Sequence, residues 1–217
     1  MVKVLNIQLL QDEAKIFSKL ESQHSERSLF GVTDGKAIGT YLEHKFQAYL
    51  HQKYDYVSGS SAKGIDFPEL LVDMKVTSIR QPQSSCPFKS ARQKIFGLGY
   101  SLLVFVYEKT DDSLSSTGSL DIKHTIFVDS TRTADFQTTT AICKILENQG
   151  NKDDLLGCFE DRRLPVEEIE AGRIADELLL SPPKIGYLTI SNALQWRLQY
   201  SRVIEKAGSV SGISRVK

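Results

Sequence analysis

The sequence predicts an α/β (α+β) fold, with a mixed central β-sheet flanked by helices and followed by a helical C-terminal region. Three observations predict it. Residues 36–52 place Ile38, Tyr41, Leu42, Phe46, Tyr49 and Leu50 at helical spacing. Residues 70–76 alternate with period 2. Residues 101–107, Ser-Leu-Leu-Val-Phe-Val-Tyr, form a continuous apolar run of strand length, which reads as a central strand buried on both faces. A helix, a strand, a helix and a further strand in this order imply a mixed sheet with helices packed on it.

Taken in order, Leu10, Ala14, Phe17 and Leu20 step by helical intervals, so a first amphipathic helix spans 7–22. Residues 23–35 read as a loop and 36–52 as the second helix. Tyr54–Val57 is a short strand. The small residues from Gly59 to Gly64 make a turn. Next comes an apolar stretch that holds Asp66, Asp73 and Lys75. As a strand, 70–76 turns Leu70, Val72, Met74 and Val76 to one side and Leu71, Asp73 and Lys75 to the other. With Pro68-Glu69 as the turn, Asp66 pairs opposite Leu71 and shares a face with Asp73, one diagonal step away. Residues 77–87 form a polar loop, 88–98 a basic helix, and 110–121 a second loop. A strand follows at 125–129 and a helix at 134–148, then a break at 150–154. Beyond it, 166–180 is an acidic amphipathic helix, Ser181–Gly186 a linker, and 191–206 another helix. On that last helix Asn192, Gln195, Gln199, Arg202 and Lys206 fall on one polar stripe. With the short strand 212–216 it is similar to a helix-turn-helix or winged-helix unit, or it is a surface helix closing the fold. The chain divides into a core, 1–162, and a C-terminal region, 163–217.

At 217 residues, 41% hydrophobic and 25% charged, the composition is that of an ordinary globular protein. No apolar run approaches the roughly 18 residues of a membrane span. Met1–Asn6 lacks the apolar core of a signal peptide, so a cytoplasmic setting is expected. Cys86, Cys143 and Cys158 are too scattered for a zinc cluster or a disulfide framework. The 27 basic residues balance 27 acidic ones, but unevenly. Met74–Tyr107 carries Lys75, Arg80, Lys89, Arg92 and Lys94 with no acid, and 178–217 has Glu205 as its one acid among six basic residues. Two basic regions in a neutral chain point to a local polyanion-binding face, or to solvated lysines clustered by chance.

Charges inside an apolar hairpin need a reason. Two carboxylates on one face suit a hard, oxygen-seeking divalent cation. A lysine beside them suits stabilisation of a phosphate in hydrolysis. A salt-bridged hairpin, in which Lys75 only neutralises Asp73, satisfies the same pattern. Context separates the two. Ile65-Asp66, six intervening residues, and Asp73-Met74-Lys75 resemble the PD-(D/E)xK nuclease motif, with Ile65 in place of proline. The resemblance covers roughly 36–108 and is most similar to type II restriction endonucleases. It implies a restriction-endonuclease-like fold, Mg²⁺ as cofactor, and Asp66, Asp73 and Lys75 as catalytic residues. It also offers Glu43, at the edge of the apolar stripe of the second helix, as a further acid and metal ligand; pairing with Lys45 is the other reading. Double-stranded DNA is the implied substrate, a homodimer the implied assembly, and a DNA methyltransferase the functional partner. Candidate DNA contacts are Arg80, Gln81, Gln83, Lys89, Arg92 and Gln93 after the motif, and Gln195, Gln199 and Arg202 near the C-terminus, since amide and guanidinium groups pair bidentately with adenine and guanine. A repair or junction nuclease of the same fold, and a non-catalytic DNA-binding protein, remain alternatives.

Overall fold

The computed structural model describes residues 3–59, 64–86, 90–191 and 196–217. Strand β1 (Lys3–Val4) leads into α1 (Ile7–Ser22), whose first turn is capped by the Asn6 side chain accepting from the Leu9 N–H. After β2 (Ser25–Glu26), Asp34 caps α2 (Gly35–His51) by accepting from the N–H groups of Lys36 and Ala37. Then come β3 (Tyr54–Asp55), β4 (Val72–Ser78), β5 (Gln83–Ser85), α3 (Arg92–Phe96), β6 (Ser101–Asp112) and β7 (Thr117–Val128). The remainder is α4 (Phe136–Glu147), α5 (Lys152–Asp161), α6 (Glu168–Leu180), β8 (Thr189–Ile190), β9 (Arg197–Gln199), α7 (Ser201–Lys206) and β10 (Ile213–Arg215). The predicted α+β class, a mixed sheet flanked by helices, is what the chain adopts.

The central sheet runs β10-β7-β6-β4, with β2 also paired to β7. Strands β4 and β6 are parallel, and the other pairs are antiparallel. Alternation along β6 sorts two cores. Leu103, Phe105 and Tyr107 face Met74 and the helices α1 and α2, where Phe17 and Phe46 meet Phe105. Leu102, Val104 and Val106 face Leu188, Leu198, Tyr200 and Val203 from the C-terminal quarter. A third cluster joins α3 to the helices α4, α5 and α6 through Ile95, Ile142, Leu155, Ile174 and Leu178. Beside the central sheet, β5, β9 and β8 make a small antiparallel sheet. Residues beyond 163 therefore supply β10 to the central sheet and two strands to the small one.

Two buried carboxylates fix α2 against α1. Glu13 accepts from Tyr49, Lys53 and Tyr54, and Glu21 accepts from Tyr41 and forms an ion pair with Lys45. The Tyr-x-x-x-Lys spacing repeats after eight residues, so both clamps lie on one stripe of α2. The stretch of α2 between them carries Glu43 and Gln47.

Several expectations are corrected. The helix predicted over 191–206 does not form across the described residues 196–200. Trp196, Leu198 and Tyr200 are buried and Arg197 and Gln199 exposed, the period of a strand, and the helix is only Ser201–Lys206. Their apolar spacing fits both periods over so short a run, and pairing with β5 decides for the strand. The helix-turn-helix reading falls with it; Asn192 and Gln195 lie outside the described residues. The loop predicted over 110–121 is largely hairpin, since β6 and β7 pair continuously out to Asp112 and Thr117. Facing hydroxyls of Thr110 and Ser119, 3.0 Å apart, bridge the strands there. The polar loop 77–87 contains β5, and the basic helix 88–98 is only Arg92–Phe96 among the described residues. The predicted break at 150–154 is the capping box that starts α5, with Asn151 and Asp154 exchanging bonds.

Candidate active site

The hairpin that carries the acids turns through Pro68–Leu70, a single 3₁₀ turn, and closes at Leu71 in the left-handed region, φ 51°. Phe67 and Val72 exchange backbone hydrogen bonds at 2.9 and 3.2 Å. The turn is thus longer than Pro68-Glu69. Asp66 stands opposite Asp73, not opposite Leu71, which corrects the predicted register. The shift is two residues, so both acids keep the same face. Gly59 N–H donates to Asp66 O at 2.8 Å, and a Cβ at Gly59 would fall 1.7 Å from Ile65 O. Only glycine can lie at position 59 this close to the backbone that holds Asp66.

Asp66 Oδ2 accepts the Met74 N–H at 2.8 Å, and Oδ1 lies 3.5 Å from Gln47 Nε2 of α2. Asp73 is buried, and Lys75 Nζ stands 2.7 Å from its Oδ2. That approach is off the direction of a hydrogen bond, so Oδ2 keeps an unfilled acceptor in a buried place. Burial, the facing Asp73 and the nearby Glu43 push the Asp66 carboxyl up to about 7, against the Met74 N–H that favours its ionised form. Burial also raises the Glu43 carboxyl, with Lys75 drawing it down and Asp73 pushing it up. For Lys75, burial acts to lower the pKa, but the ion contact with Asp73 outweighs it and the ammonium is held charged.

Two apposed carboxylates, one of which resists ionisation while the other has an unfilled buried lone pair, fit a divalent cation. Among the described residues no group of three or more His, Cys, Asp or Glu is close enough to hold a metal by itself. A cation held by these two carboxylates would complete its shell with water and phosphate.

The site opens on a cleft of about 1040 Å³. Lys36, Lys75, Arg80, Lys109 and Arg197 line it against Asp34, Glu43 and Asp111. The five cations outnumber the three acids, so the cleft wall carries net positive charge. Of the predicted DNA contacts, Arg80, Gln81 and Gln83 line this cleft. Gln199 lies on β9, directly across from Gln83. Arg92 is not brought to it: its guanidinium pairs with Glu170 and Glu177 of α6 and lies over the Phe96 ring. Gln93 is buried, with its amide 3.5 Å from Leu98 O. Arg202 lies 3.9 Å over the Phe136 ring and donates to Thr189 Oγ1. Lys89 and Gln195 lie outside the described residues. Sequence reasoning missed Gln47, one helical turn after Glu43, and Arg197, whose isolated charge gave no signal.

No helix among the described residues is long and apolar enough to cross a membrane, and none of the three cysteines forms a disulfide. A family model described as "Type II restriction enzyme NspV" matches residues 4–215. The type II restriction enzyme NspV of Nostoc sp. (strain ATCC 29411 / PCC 7524) is 66% identical over 213 residues, covering 98% of this chain and 97% of its own length. No solved structure matches the chain. A match over nearly the whole sequence, on a hairpin that sets two facing acids behind Lys75 on the wall of a basic cleft, places the chain in the NspV family of type II restriction enzymes.

Proposed function

We propose that this restriction enzyme cuts double-stranded DNA with Asp66, Asp73 and Lys75 as its catalytic group and Mg²⁺ as its cofactor. As a type II restriction enzyme it is a site-specific deoxyribonuclease. The observation that carries the site assignment is the apposition of the two carboxylates beside Lys75, which itself lines the basic cleft. Asp66 and Asp73 would hold the cation, with Glu43 and Gln47 behind them on α2. The bound ion supplies neutralisation of phosphate charge and acidifies water in its shell.

The remaining work falls to the chain. Lys75, kept charged by Asp73, donates to a non-bridging phosphate oxygen and stabilises the charge that grows there as the attacking water adds. Gln47 and the Met74 N–H orient the Asp66 carboxylate, so that little rearrangement is needed when DNA arrives. Arg80 and Lys36 line the cleft, and their cations would meet the phosphate backbone there. Cutting both strands calls for two such sites, and a homodimer provides them. A DNA methyltransferase acting on the same sequence would protect the host genome.

The test is a plasmid digest with purified protein and Mg²⁺. Discrete fragments are expected from the wild-type chain. Asp73→Ala should bind DNA and leave it uncut, because it removes the buried acceptor and strips Lys75 of its partner. Cutting by that variant at the wild-type rate would refute the site assignment.

A further inference from the structure

We infer that DNA bases are read by the exposed face of the small β5-β9-β8 sheet, with Gln83, Gln199 and Arg197 as the specificity-determining side chains. This deepens the nuclease reading and rests on it. Antiparallel partners share a face, and here Gln83 pairs with Gln199, Ser85 with Arg197, and Thr189 with Gln199. One face of the sheet therefore carries two glutamines, an arginine, a serine and a threonine, and no acid. The other face is core: Leu198 and Ile190 are buried there, and Ser84 Oγ lies 2.6 Å from the buried Tyr200 hydroxyl.

Among the described residues the Gln83 and Gln199 amides and the Arg197 guanidinium make no hydrogen bond or ion pair, so their full donor and acceptor sets are open to a ligand. A surface meant only for phosphates needs cations. Neutral amides with paired donor and acceptor match the adenine edge, and a guanidinium matches guanine. The paired strands β5 and β9, about 5 Å apart, form a two-stranded ribbon of the kind that a major groove about 12 Å wide admits.

The sheet is tied to the scissile site. Thr77 lies two residues after Lys75 on the same face of β4. Its hydroxyl accepts the Gln83 N–H at 2.9 Å and lies 3.0 Å from Gln83 O. Gln83, Ser85 and Arg197 line the cleft that also holds Lys75 and Glu43. A duplex lying in that cleft with one phosphate at Lys75 presents its base edges to this ribbon.

The experiment begins by sequencing the ends left by wild-type digestion, which defines the recognition site. Duplexes carrying that site and each of its single-base variants are then cut by wild-type protein and by Arg197→Ala, Gln199→Ala and Gln83→Ala. Melting temperature and binding to unrelated DNA in Ca²⁺ are measured for each protein. The side chains are exposed or half-exposed, so folding and unspecific binding should persist. Cleavage of the true site should fall about 10- to 100-fold per residue, while the variant sites at one base position fall far less, so discrimination collapses there. Unchanged discrimination in all three variants, or an equal fall on every duplex, overturns this inference while leaving the nuclease reading intact. A wild-type protein that cuts no DNA overturns both.

Discussion

Replacing Asp66 with Asn should stabilise the metal-free protein at neutral pH while removing its activity. The Asp66 carboxyl is pushed up to about 7 from an ordinary value of 3.8, by burial first and by the facing Asp73 next. Between those two pH values the folded chain holds a proton that the unfolded chain has released. Stability is therefore full below about pH 4 and drains away as pH rises toward 7. Three units at about 1.4 kcal/mol each give an upper bound of roughly 4 kcal/mol. Asp66 is half-buried, and solvent screening brings a working figure to about 2 kcal/mol. Asparagine keeps an acceptor for the Met74 N–H and offers an N–H to Asp73, at no charge cost. For a chain of this size the gain corresponds to about 4–8 °C in Tm. Thermal melts in EDTA should show wild type and Asp66→Asn nearly equal at pH 4, a gap opening toward pH 7, and a constant gap above it. Adding Ca²⁺ at pH 8 should raise the wild-type Tm and leave the variant's in place, since a cation does what the proton did. A gap independent of pH, or a wild-type chain the more stable at pH 8, would refute the electrostatic account of the hairpin.

Two further outcomes follow from the packing around the site. Thr77→Val keeps the shape of the side chain but removes the hydroxyl that clasps Gln83; a loss of roughly 1–3 kcal/mol should be confined largely to β5, so sequence discrimination should drop more than Tm, read by comparing cleavage of the true site with its single-base variants. Glu13→Gln should cost roughly 1.5–3 kcal/mol in urea unfolding at pH 7, because Glu13 is buried and takes bonds from Tyr49, Lys53 and Tyr54. Burial acts to raise the Glu13 pKa, but those bonds prevail and lower it, so the cost should shrink as pH falls below the ordinary glutamate value.

How much of this site is legible in the sequence depends on how local each interaction is. Asp73 and Lys75 are plain, because a period-2 strand puts alternate residues on one face whatever lies around it. Asp66 is recovered despite a wrong register, because a slip of two residues leaves facing unchanged; a slip of one would have sent it into the core. Glu43 shows itself at the edge of an apolar stripe. Gln47 does not, since a polar residue on a helix looks like a solvated one until the partner strand is in place. The central strand and the helices α1, α2, α4 and α6 announce themselves through long periodic runs. The proposed reading surface lies beyond this reach. It is made of two- and three-residue strands, too short to carry a period, and β5 meets β9 only through pairing between distant parts of the chain. Trp196, Tyr200 and Val203 then fit a helical wheel by accident of spacing. The polar stripe drawn on that wheel still includes Gln199, because a side chain's chemistry belongs to the residue while its neighbours belong to the fold. Arg197 was lost for the same reason: it faces the cleft only once Leu198 is turned into the core by the strand. In the proposed reading the hairpin sets where a phosphate would sit, and the length of β4 from Lys75 to Thr77 would set how far from it the ribbon stands. Under that reading recognition and cleavage would be coupled through one strand, so a change at Thr77 should move specificity without touching a carboxylate.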